Sequence, residues 1–134
     1  MVTLVLVGVF STAIIIRAFP AKYGFFLNEF DPYYNYKAAS FIVSSFDNSW
    51  NTGGGISGLF NYFSWVDYTT WFPEGREVAP TSQDGLQFAG ALLYLFFRNI
   101  LGLQINLYDF VVLLPVFLGA LTSVMFYFLV RRIA

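Results

Sequence analysis

Three apolar runs of unequal length divide this chain. Residues 2–16 carry no charged side chain. Extended through residues 18–20, that run reaches about 18 to 20 residues, enough at about 1.5 Å per residue to cross the hydrocarbon layer as a helix. No basic segment precedes it, and Arg17-Ala18-Phe19-Pro20 follows it where a signal peptide would have a small-residue cleavage site, so it reads as an anchor. A second run, residues 110–130, is also free of charge and stops at Arg131-Arg132, the pattern of a span that ends on the cytoplasmic side. Pro115 and Gly119 inside it suit a membrane helix packed within a larger bundle. The third run, residues 86–97, meets Arg98-Asn99 too soon to span, and it predicts an interfacial or re-entrant helix.

Two spans therefore put both termini in the cytoplasm and the intervening segment outside. Within that segment, Asp31-Pro32 starts a helix, because Asp caps free amides and Pro suits the first turn, and no breaker follows through Val43. Asn48 to Gly58, with its four glycines, has linker chemistry, and Pro73, Gly75, Pro80 and Gly85 break up what comes next. No strand pattern stands out. The expected architecture is all-α and integral to the membrane, two transmembrane helices flanking a long external loop that carries interfacial or re-entrant helices. In residue terms it has a first span at 1–19 and an external loop at 20–108. The loop holds a helix at about 32–45, a Gly-rich linker at 48–58 and an interfacial helix at about 84–103. A second span at 109–130 and a cytoplasmic end at 131–134 complete it.

Composition sharpens this picture. The 134 residues are 57% hydrophobic and 22% aromatic but only 11% charged, with a mean hydropathy of +0.63, which is a membrane composition. There is no Cys and no His. Thiol and imidazole chemistry and the common zinc sites are thereby excluded, leaving oxygen ligands suited to a hard cation. Residues 18–108 hold seven acidic against four basic side chains, so nucleic acid is not an expected partner. The many loop aromatics, Tyr33, Tyr34, Tyr36, Trp65, Trp71 and Phe72 among them, suit headgroup depth, where amphipathic rings are favoured.

Two blocks carry the candidate chemistry. Glu29-Phe30-Asp31-Pro32-Tyr33-Tyr34-Asn35-Tyr36-Lys37 places two carboxylates just after the anchor, and Trp71-Phe72-Pro73-Glu74-Gly75-Arg76 forms a second, distinctive block. From the residues alone Asp31 is best explained as an N-cap, worth about 1 kcal/mol. Arg76 is best explained as an ion-pair partner of Glu74 or Glu77, although its planar fork also suits a pyrophosphate. Arg98 is expected to snorkel to the interface, with lipid phosphate as the alternative, and Lys37 to be solvated.

Taken in order with Trp65-Val66-Asp67 and with residues 113–123, these blocks resemble the N-terminal portion of the oligosaccharyltransferase catalytic subunit, in its archaeal-type form within the GT-C superfamily. The resemblance covers nearly the whole chain. It implies transfer of a polyprenyl (dolichyl) phosphate- or pyrophosphate-linked oligosaccharide to the Asn of Asn-x-Ser/Thr in an acceptor polypeptide, with inversion at the anomeric carbon. It implies Asp31 as catalytic residue and metal ligand for Mg²⁺ or Mn²⁺, and Glu29 matches the family pattern; Glu29 and, by its guanidinium chemistry, Arg76 are the candidate substrate-binding residues. It further implies membrane lipid and the remainder of the enzyme chain as partners. The multi-pass location would be the cell membrane with an external loop if archaeal, or the endoplasmic reticulum membrane with a lumenal loop if eukaryotic. The family's second acidic loop motif and its Trp-Trp-Asp-Tyr-Gly motif do not occur in these residues, so the expectation is an N-terminal fragment, inactive alone. The competing readings are a small two-span protein that binds a partner or lipid, and a fragment of another polyprenyl-phosphate-dependent sugar transferase.

Overall fold

The computed structural model describes residues 2–27 and 30–133. Elements run in the order α1 (Val2–Ala18), a 3₁₀ segment (Phe19–Tyr23), α2 (Phe30–Asn51), a second 3₁₀ segment (Gly55–Ser64), β1 (Val66–Asp67), β2 (Arg76–Glu77), α3 (Val78–Thr81), α4 (Asp84–Asn99) and α5 (Leu107–Ile133). Two compact units result, Met1–Phe26 with Tyr108–Ala134, and Leu27–Leu107.

The first unit is the membrane part. Val2–Tyr23 and Leu107–Ile133 are long and apolar enough to cross a bilayer, each with a mean hydropathy of 2.2 over its best window. Almost none of this apolar surface is buried within the chain, as expected where lipid or further helices cover it. Small residues mark the contact between the two helices: Ala13 and Ala120 are buried, and Phe10 meets Phe117 edge-on with ring centres 5.7 Å apart. Pro115 lies inside α5.

The second unit has a core of its own. On α2 the buried positions Tyr34, Ala38, Ala39, Ile42 and Val43 recur at helical spacing and form one face. On α4 Gln87, Gly90, Ala91, Tyr94 and Leu95 do the same. Alanines and a glycine at the crossing let the two backbones approach closely, while Leu92 and Phe96 on the other side of α4 stay exposed, consistent with an amphipathic helix.

Helix α2 runs on to Asn51, farther than a helix at about 32–45 with a linker from 48, and the glycines explain the difference. They stop the helix instead of loosening the chain. Gly54 N–H donates to Ser49 C=O at 2.8 Å and Gly53 N–H to Trp50 C=O at 3.3 Å, with Gly53 at φ +83°, which together make a Schellman cap. The 3₁₀ segment then folds back onto α2, and Gly58 permits it, since a Cβ there would stand 2.1 Å from the Ser45 carbonyl oxygen. Where an interfacial helix is expected at about 84–103, the chain forms α4, a helix that ends at Asn99. The β1–β2 ladder pairs Val66 with Glu77 and Asp67 with Arg76; two residues per strand are too few to leave an alternating pattern in the sequence.

Candidate functional site

The site is assembled on the first two turns of α2. The helix begins at Phe30, which puts Asp31 in its first turn instead of at the cap position. There its exposed carboxylate benefits from the positive end of the helix dipole. Asn35 follows one turn later on the same side. Opposite them, Arg76 is delivered by two constraints. The ladder register sets Arg76 beside Asp67, and Asp67, 3% exposed, is tied to α2 by an ion pair with Lys37. Lys37 also donates to Thr69 Oγ1, and Thr69 returns its backbone N–H and its hydroxyl to Asp67 Oδ1 at 3.0 and 2.7 Å. Burial opposes ionisation of Asp67, but the hydrogen bonds from Lys37 and Thr69 outweigh it and hold the carboxyl at about 2.

With β2 fixed in this way, the Arg76 guanidinium stacks over the Tyr34 ring at 4.5 Å and near the Trp71 ring at 5.3 Å. Its Nε donates to Thr81 Oγ1 at 2.8 Å, and another of its nitrogens donates to the Thr81 carbonyl. Asp31 and Arg76 thereby line one cleft of 140 Å³, together with Tyr34, Asn35, Ser82 and Gln87 among others. Among the described residues the buried Tyr34 hydroxyl has no hydrogen-bond partner, a deficit of about 1–3 kcal/mol that a polar occupant of the cleft would relieve. Behind it, Tyr62 contacts Asp84 at 2.7 Å and Gln87, and Gln87 contacts Asn35 at 3.0 Å. Burial first, then the Asp84 carboxylate, raises the Tyr62 phenol above its ordinary range, so it stays protonated.

A side chain that can grip an anion thus faces a carboxylate across a small polar cleft, on a unit that lies between two apolar helices in the sequence. The family described as "Oligosaccharyl transferase STT3, N-terminal" matches residues 1–134. The chain belongs to this family. The Saccharomyces cerevisiae "Dolichyl-diphosphooligosaccharide--protein glycosyltransferase subunit STT3" is 32% identical over 117 residues, covering 86% of this chain and 15% of the relative. The Oryza sativa subunit STT3B is 31% identical over 126 residues, 93% of this chain and 16% of the relative. The Schizosaccharomyces pombe subunit stt3 is 26% identical over 112 residues, 84% and 13%. The chain therefore spans about a sixth or less of the length of these relatives. No solved structure matches it.

Of the candidate site residues, Asp31 and Arg76 come together in the cleft, and Glu29 lies outside the described residues. Among the described residues no group of three or more His, Cys, Asp or Glu converges. Arg76 forms no ion pair with Glu74 or Glu77 among the described residues; two of its five N–H groups donate to Thr81 and its face lies on Tyr34, which leaves the other donors for an anion. Lys37 is not a solvated side chain but the counter-charge of Asp67. Arg98 forks onto Asp47 at 3.0 and 2.5 Å, a partner that helical spacing did not announce, and that hydrogen-bonded carboxylate raises its pKa further. Asn35 and Gln87 carried no functional reading of their own in the sequence, and Tyr62, one of the loop aromatics expected at headgroup depth, is instead fully buried. The one legible hint was Asn35, four residues after Asp31.

Proposed function

We propose that this chain is the N-terminal part of a membrane oligosaccharyltransferase that transfers a lipid-linked oligosaccharide to the Asn of Asn-x-Ser/Thr sequons, and that Asp31 and Arg76 are its contribution to the reacting site. The observation that carries this reading is the cleft that both side chains line although they stand far apart in sequence. Its donors are all oxygens or amides plus one guanidinium, and the unpartnered Tyr34 hydroxyl leaves it a polar group to satisfy. This set fits a hard cation next to an anion. Asp31 would hold Mg²⁺ or Mn²⁺ together with oxygen ligands from the remainder of the enzyme. When bound, the ion supplies charge neutralisation to the departing phosphate group.

The chain's own residues do the rest. Arg76, oriented by Thr81 and the Tyr34 ring, grips the phosphate or pyrophosphate of the donor and keeps it at the cleft mouth. The Asp31 carboxylate, with two oxygens, accepts a hydrogen bond from the acceptor amide and so orients a poor nucleophile toward the sugar. The exposed aromatics of the segment, such as Trp71 at 64% and Phe72 at 85%, rest at headgroup depth. Arg131 and Arg132 at the end of α5 hold the cytoplasmic side, so the cleft faces the outer or lumenal compartment. The isolated chain is inactive, because one carboxylate does not complete a cation site.

The test is Asp31→Ala in the full-length enzyme. Turnover should fall by orders of magnitude, about 100-fold or more, with membrane insertion unchanged. Turnover equal to wild type at saturating Mn²⁺ would remove Asp31 from the site.

A further inference from the structure

Burial grades the residues that line the cleft. Asp31 is exposed, Arg76, Asn35 and Ser82 are half-buried, and Tyr34 and Gln87 are buried. The carboxylate therefore belongs to the rim, and what an occupant meets farther in depends on the groups behind it. Gln87, 1% exposed, donates its Nε2 to Asn35 Oδ1 at 3.0 Å. That engages the oxygen end of the Asn35 amide, so the end left for the cleft is its NH₂.

Two more donors share this space. Arg76 commits only part of its guanidinium to Thr81, which leaves N–H groups for another acceptor. Tyr34, 7% exposed, carries a buried hydroxyl with no partner among the described residues, and a group in that state marks a place where something bound completes the hydrogen bonding. The Arg76 guanidinium lies 4.5 Å over the ring of Tyr34, so the ring orients one donor while its hydroxyl supplies another. The positive end of α2 adds to the set, since Phe30 and Asp31 of its first turn line the same cleft. Inward of Asp31 the cleft thus offers a guanidinium, an amide NH₂ and a hydroxyl. A phosphate group, with several acceptor oxygens on one atom, matches that set.

Resting on the reading of Arg76 given above, we propose that the Tyr34 hydroxyl and the Asn35 NH₂ bind, together with Arg76, the phosphate or pyrophosphate of the lipid-linked donor. Gln87 is a positioning residue that holds the Asn35 amide with its nitrogen toward the anion.

Steady-state kinetics of the full-length enzyme in detergent at fixed free Mn²⁺, with the lipid-linked donor varied and inorganic pyrophosphate as competing inhibitor, test this alongside thermal unfolding without donor. Tyr34→Phe keeps the ring under Arg76 and removes only the oxygen. It should raise the KM for donor and the inhibition constant of pyrophosphate about tenfold or more, while the donor-free enzyme melts at the same temperature or higher, because the deleted hydroxyl had no partner. Asn35→Asp keeps an oxygen for Gln87 and exchanges only the NH₂, and it should raise both constants by about tenfold or more as well. Arg76→Met serves as the reference. If Arg76→Met raises both constants more than about tenfold while Tyr34→Phe and Asn35→Asp stay within about twofold, this proposal fails and the Arg76 reading stands. If Arg76→Met behaves like wild type, that reading falls and this inference with it. A Tyr34→Phe enzyme that melts well below wild type overturns the role of the hydroxyl, because it would then have a structural partner. A rise in the pyrophosphate constant alone, with the donor KM unchanged, would mean that a free anion occupies the cleft and would overturn the assignment to the donor.

Discussion

Helix α2 carries an ion pair toward each end, and the two are built differently. Near the cleft, Lys37 meets an Asp67 that is 3% exposed, while toward the C-terminal end Asp47 meets Arg98 with both side chains about a third exposed (37% and 29%). The first pair has further hydrogen bonds from Thr69 and holds a strand; the second is a fork between two helices. Their difference separates a charge pair that places a functional side chain from one that fastens a scaffold. Only the Lys37–Asp67 pair sets the ladder that brings Arg76 over Tyr34. The Asp47–Arg98 pair shares its surroundings with Phe46, Trp50 and Phe96 and takes no part in the cleft of Asp31.

The contrast can be broken by substitution. Lys37→Met strands a buried carboxylate and should destabilise the protein by about 3 kcal/mol, and it should also raise the KM for the lipid-linked donor, because β2 loses its anchor. Asp47→Asn removes one charge of a part-exposed fork and should cost about 1 kcal/mol or less with KM unchanged. Denaturant unfolding and steady-state kinetics of the two full-length variants measure both. Equal losses of stability, or a KM effect at Asp47, would erase the distinction.

Acid sharpens it further, and by a smaller amount than Lys37→Met. Asp67 has its carboxyl at about 2 against an ordinary 3.8. A depressed folded-state pKa contributes stability that is complete above the unfolded value and is lost as pH falls through the folded one. The free energy of unfolding should therefore decline between about pH 4 and pH 2, by an amount on the order of 2 kcal/mol, and Asp67→Asn should flatten that limb of the profile.

The membrane helices were legible because a run of apolar residues as long as the bilayer is thick has few other fates. The start of α2 was legible too, since Asp31-Pro32 is local chemistry. What the linear pattern did not carry were the long-range partners. Lys37 finds Asp67 thirty residues away and Arg98 finds Asp47 fifty-one away, and nothing in helical spacing pairs them. The glycines after Trp50 read as flexibility because their roles, a positive φ at Gly53 and close approach at Gly58, depend on where the chain turns back. Asn35 and Gln87 were silent for a similar reason. An amide acquires a function only through the partners that orient it, and those come from three different elements.

The central claim is that Asp31 and Arg76 act on one bound donor. A double-mutant cycle on kcat/KM of the full-length enzyme, using Asp31→Ala and Arg76→Met, measures this directly. Two residues that share one ligand should be strongly non-additive, the double variant departing from the product of the single effects by about tenfold or more. Strict multiplication of the two effects would show that they act independently, and would contradict the account.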